Sequence, residues 1–123
     1  MPQTDPLDEL LKAIRAGGAR AVGGDLPGDL DAALPLCQVL ALPGSATFEA
    51  WGGRTLRREQ PFDVYVLARS QVQAGDLARE IVDRIEGVHG PLIVTVDSLP
   101  HNVPEYNPRV KRCLFTVTAS YSR

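Results

Sequence analysis

The side chains able to do chemistry in this chain are two histidines, two cysteines, three aspartates in one glycine-rich stretch and a close group of arginines. A general acid or base needs a partner that holds it, and a metal needs several ligands at matched spacing. His89 and His101 stand in loop-like contexts and form neither HExxH nor HxH, so they read as surface histidines. Cys37 and Cys113 are far apart and make no CxxC pair. They point to two buried, reduced thiols packed as small core hydrophobes, not to a disulfide framework or a zinc knuckle.

Asp25, Asp29 and Asp31 lack the regular alternation of a calcium loop and the bidentate glutamate that closes it, which leaves solvated turn acids. Gly17-Gly18 and Gly23-Gly24 form neither GxGxxG nor GxxxxGK[ST], so no phosphate cradle is readable. The expectation is that there is no catalytic site, no metal site and no cofactor. Arg54, Arg57 and Arg58 are the exception to this quiet pattern. Three guanidinium groups on a hairpin can meet phosphate or a partner's carboxylates, or can form a charged face that keeps an exposed strand from pairing wrongly. Trp51, the only tryptophan, stands beside the same hairpin turn, either folded back on the sheet or offered as an interface anchor.

The bulk numbers exclude several classes. Thirteen Lys and Arg against fifteen Asp and Glu give a net charge of −2, which argues against sequence-specific nucleic-acid binding driven by phosphate neutralisation. The first eight residues carry two acids and no base, unlike a secretory leader, so synthesis in the cytoplasm is expected. The longest apolar stretch, 34–42, is broken by Pro35 and Gln38 and falls well short of the roughly 20 residues that span a bilayer. At 123 residues the chain is read as a single domain, 1–123, with a core that needs no staples.

The elements that must position these residues follow from periodicity. Leu7, Leu10, Leu11 and Ile14 share a face behind Asp5 and Pro6 and ahead of Gly17-Gly18, predicting a short amphipathic helix. Residues 17–33 mix Gly, Asp, Pro and Ala and read as a flexible connection with a weak helical turn near its end. Residues 36–42 read as a buried strand closed by a Pro43-Gly44 turn; 47–51 and 54–59 flank Gly52-Gly53 as a hairpin, and 62–69 is a further strand. Ser70 and Gln73 form a capping pattern for a long helix over 70–86, whose stripe is Leu77, Ala78, Ile81, Val82, Ile85 and Val88. A short apolar strand at 92–97 and a long alternating strand at 110–122 complete the chain. Cys113, Phe115, Val117, Ala119 and Tyr121 line one face of that last strand. The fold class is α+β: a mostly antiparallel sheet of four to six strands, one long helix packed on one face, and a short N-terminal helix.

This order of elements resembles the small tail-terminator and minor capsid proteins of long-tailed bacteriophages and prophages. The likeness rests on the strand-helix unit FDVYVLARSQVQAGDLAREIVDRIEG and the closing VPEYNPRVKRCLFTVTASY, and covers most of the chain from Leu36 onward. In that family a strand runs into a capped helix ending in a Leu/Ile-x-Gly turn, matched here by 62–69 and 70–87. A Pro-acid-x-x-x-Arg stretch then leads into the last strand, matched by Pro104, Glu105, Arg109 and Arg112. Related chains often carry a Gly-Arg pair where this one has Asn107-Pro108-Arg109, residues that also suit a turn.

The resemblance implies a structural job in the virion. The chain would form a ring with copies of itself, usually six, that caps the tail tube and joins it to the head. Its partners would be tail-tube and head-connector proteins, with no membrane, no cofactor and no reaction. Trp51, Arg54, Arg57, Arg58, Glu105 and Arg109 are the interface candidates, together with the 17–33 connection. The alternatives are a small cytoplasmic protein-binding adaptor module, and an enzyme of unrecognised type.

Overall fold

The structure is a computed structural model, described here for residues 5–48, 55–104 and 107–121. Helix α1 (Pro6–Ala16) starts where Asp5 accepts the Leu7 and Asp8 amides and Pro6 supplies a preset φ. It buries Leu10, Leu11 and Ile14. Strand β1 (Ala21–Gly23) and the four-residue helix α2 (Leu30–Ala33) follow, so the stretch read as a connection contains regular structure. The remaining elements are β2 (Leu36–Ala41), β3 (Ser45–Phe48), β4 (Thr55–Ala68), α3 (Gln71–Ile85), β5 (Gly87–His89), β6 (Leu92–Val103) and β7 (Lys111–Tyr121).

Six strands lie abreast in the order β1-β2-β4-β7-β6-β5, and β3 joins β4 beside them. Only β1 and β2 run parallel; every other pairing is antiparallel. The expected α+β architecture is therefore present, with a long helix and a short N-terminal one. Arg15 clips β1 to α1 through hydrogen bonds from Nε and Nη2 to the Ala21 carbonyl at 3.2 and 2.7 Å. Gly23 lets β1 approach the helix, since a Cβ there would stand 3.1 Å from a methyl of Leu7.

Two expectations about the hairpin region need correction. The strands expected at 54–59 and 62–69 are not separate: β4 runs without a break from Thr55 to Ala68. Pro43-Gly44 does not turn the chain back either: β2 pairs with the second half of β4, and β3 continues along the same edge against its first half. From Ala41 to Ser45 the edge advances four residues while β4 advances three, from Phe62 to Glu59, so the edge carries one extra residue.

This arrangement explains how Pro61 is tolerated inside a strand. Its carbonyl accepts the Leu42 amide at 2.9 Å, which places its missing N–H on the side where the edge is already interrupted. Gly44 fits the same gap, where a Cβ would come 2.9 Å from the Glu59 carbonyl oxygen.

Helix α3 is capped as its sequence suggests. Ser70 Oγ accepts the Gln73 amide at 3.1 Å, and Gln73 Oε1 reaches back to the Arg69 amide at 3.3 Å. Ala74, Ala78, Ile81, Val82 and Ile85 face the sheet. Val88 does not belong to this stripe. Gly87 at φ +118 breaks the helical path, and Val88 enters β5 with its side chain 74% exposed.

Strand β6 is also longer than the expected 92–97 segment, reaching Val103 through two bulges. The turn between β5 and β6 has Gly90 at φ +57, followed by Pro91, whose ring forbids positive φ. That combination matches a II′ hairpin turn.

The core lies between the helices and one sheet face. Phe62, Val64, Val66 and Ala68 of β4 and Phe115, Val117 and Ala119 of β7 are fully buried there, joined by Leu92 and Val94 of β6. Each such side chain contributes roughly 1.5–3 kcal/mol of burial for the larger apolar types. Cys37 and Cys113 flank Val66 in one cross-strand row. Two strand spacings separate their backbones by roughly 10 Å, too far for a disulfide, and both thiols are free.

Candidate functional site

The arginine group predicted for a hairpin is carried by the first half of β4. Arg57 and Arg58 stand opposite Thr47 and Ala46 of β3. Arg57 is exposed and donates from Nε to the Ser120 hydroxyl, while Arg58, half-buried, stands opposite Tyr121. Trp51, Arg54 and Glu105 lie outside the described residues.

Arg109 sits at the other end of the β4–β7 ladder, in a turn where Asn107 Oδ1 accepts its amide at 2.9 Å. Arg58 pairs with Tyr121 and Ala68 with Lys111, so ten residues of β4 separate the two places, roughly 30 Å of strand. The described candidates therefore do not make one constellation. Arg57 and Arg58 stand at one end of the β4–β7 ladder and Arg109 at the other.

Between these ends lies the sheet face that no helix covers. Its middle is lined by hydroxyls and acids. Ser98 Oγ and Thr116 Oγ1 are 2.7 Å apart, and Thr118 Oγ1 donates to Asp97 Oδ2 at 2.5 Å. The bulge at Asp97 turns two successive residues of β6 towards this face. Nearer Arg109 the face is apolar: Leu36, Leu67 and Val110 are buried there, outside the main core. Arg112, one of the residues of the family resemblance, stacks its guanidinium 4.7 Å from the Tyr65 ring centroid and donates to the Pro104 carbonyl. It thereby ties the segment before the turn to the bare face.

A groove of about 320 Å³ runs between the end of α1, α3 and the Leu34-Pro35 segment, with Ile14, Leu34, Leu77 and Ile81 among its walls. Its charged groups are already engaged. Arg84 donates to the Gly17 carbonyl and, at 2.8 Å, to Glu80; Arg20 donates to the Ala32 and Ala33 carbonyls. These polar groups hold the walls to one another instead of converging on the space between them.

The thiols are no better suited to chemistry. Burial pushes Cys37 up from about 9 to about 12. Cys113 is raised mainly by burial, against the opposing pull of Arg79 and the Leu114 amide. Among the described residues no group of three or more His, Cys, Asp and Glu is placed to hold a metal ion, and no helix is long and apolar enough to cross a membrane.

Comparison with known proteins places the fold. No protein-family profile matches the chain, and no curated protein matches it by sequence. Solved structures do: 29 chains match. One of them belongs to the virion of a native gene transfer agent particle. It superposes with a TM-score of 0.58 at 15% identity, over 96% of this chain and 92% of that one. At that identity the likeness establishes a shared fold.

Proposed function

We propose that this chain is a structural subunit of a phage-type virion, a tail-terminator or head-tail joining protein that forms a ring on the end of the tail tube. The observation that carries this reading is the near end-to-end superposition on a chain of a gene transfer agent virion, since it matches the whole fold and not a common substructure. The order of elements from Leu36 onward resembles tail-terminator proteins independently of that superposition.

Several physical features are consistent with the role. A ring built head to tail needs two different surfaces on each subunit. Here the β3–β4 arm and the turn that carries Arg109 are far apart, and a sheet face rich in hydroxyls lies between them. Ser98, Thr116, Thr118 and Asp97 on that face bond to one another, as suits a rigid building block. The partners under this reading are further copies, six in the usual ring, the tail-tube protein and the head connector, with the virion as destination and no reaction or cofactor involved.

The test is assembly. Light scattering on the purified chain, alone and after addition of tail tubes, is expected to show rings of about six times the 13.3 kDa subunit, free or on tube ends. A chain that stays monomeric and ignores tubes, or one that turns over a metabolite, removes the proposal.

A further inference from the structure

The sheet ends in two open edges that share one cross-strand row. Ser45 of β3 pairs with Glu59, Glu59 with Ser120, Ser120 with Ile93, and Ile93 with Val88 of β5. No described strand pairs beyond β3 on one side or β5 on the other. At the β5 edge the two-residue turn closes on His89 and Leu92, and a closing pair of this kind exchanges its hydrogen bonds inward. The amide and carbonyl of Val88 therefore point away from the sheet.

Val88 and Ile93 also stand directly opposite each other with their side chains 74% and 41% exposed. They form an exposed apolar pair beside unpaired backbone. The other open edge is β3, held by the strand that carries Arg57, Arg58 and Glu59.

Soluble proteins normally blunt such edges, and the rest of β6 does so with Pro100 and two bulges. The Val88 edge has no such device beyond its shortness. We infer that the Val88–Ile93 edge of one copy receives the β3–β4 arm of a second copy, so that the sheet continues from subunit to subunit. This rests on the ring reading above and specifies its contact.

The two mating surfaces differ, so the contact is heterologous and can repeat around a ring. A stable interface buries about 800 Å² per partner, more than two apolar side chains supply. The pair therefore acts as the anchor, with the open backbone of β3 and the arm that carries it completing the contact.

The experiment uses the full chain with a photo-crosslinking residue at position 88, irradiated as the purified protein and after binding to tail tubes, with the linked peptide identified by mass spectrometry. Val88→Asp is measured beside it by light scattering. Val72→Asp serves as control, since Val72 is 72% exposed on α3, away from this edge.

Links from position 88 to residues 45–59 of another copy are expected, with self-association weakened at least tenfold by Val88→Asp and unchanged by Val72→Asp. Rings that persist in Val88→Asp, or links that map to another segment or another protein, overturn the edge contact and leave the ring reading standing. A chain that neither links to itself nor assembles on tubes overturns both. Ile93→Lys, checked for folding by circular dichroism, repeats the test should Val88→Asp fail to fold.

Discussion

The two faces of the sheet are built from alternate residues of the same strands, yet they obey different rules. Phe62, Val64, Val66 and Ala68 of β4 and Cys113, Phe115, Val117 and Ala119 of β7 are apolar and sealed under the helices, while neighbours one position along include Asp63, Tyr65, Thr116, Thr118 and Ser120. The first face makes the fold stable. The second carries hydroxyls, acids and a stacked arginine, and its interruptions are bulges and a proline placed where pairing is already broken. A face and edges of that kind suit contact with another protein, whereas the sealed face has no access to one.

The sharpest break in the comparison is a core truncation. Phe115→Ala on the covered face is expected to cost about 3–5 kcal/mol in urea unfolding. Its neighbour Thr116→Ala, on the bare face, is expected to cost about 1 kcal/mol, the value of the 2.7 Å bond between its hydroxyl and that of Ser98. Equal costs would mean that the bare face is a second core.

Leu67→Ala refines this. Leu67 belongs to the bare face but is fully buried among Leu36 and Val110 rather than in the main cluster, so a loss of about 2–4 kcal/mol is expected. A loss below about 1 kcal/mol would show that nothing packs over that end. Next comes the helix that seals the covered face. Ser70→Ala removes the α3 cap and is expected to cost about 1 kcal/mol by the same assay.

The core thiol gives a pH signature. Cys37 keeps its proton in the folded chain up to about pH 12, but an unfolded thiol loses it near 9. Stability from this group is therefore complete below pH 9 and falls as pH rises towards 12, because the unfolded chain then binds fewer protons. Cys37 should also resist thiol reagents at pH 8 until the protein unfolds; rapid labelling of the native chain would contradict its burial. The smallest effect is expected from Arg79→Ala. Its 2.6 Å pair with Asp76 is exposed on both sides, and a change under about 0.5 kcal/mol is expected in the same unfolding assay.

What could be read from the chain follows from how local each signal is. The start of α1, the cap of α3 and the alternation of β7 depend on neighbours within a few residues, and all three are present. β1 and β5 are three residues long and exist only because a distant strand pairs with them, so no periodicity announces them. Pro61 and Pro43-Gly44 carry breaker chemistry, but the two breaks lie opposite each other and cancel within one ladder. Val88 matched the helical stripe by spacing alone, and only the positive φ at Gly87 removes it. For the candidate surface, Arg57 and Arg58 were legible as a charged hairpin arm. The Val88–Ile93 edge was not, because it forms only once β5 folds onto β6.

The most direct measurement is electron microscopy of tail tubes incubated with the purified chain. The account predicts a ring of identical subunits seated on one end of each tube. Bare tube ends, with the chain left monomeric in solution, would contradict it.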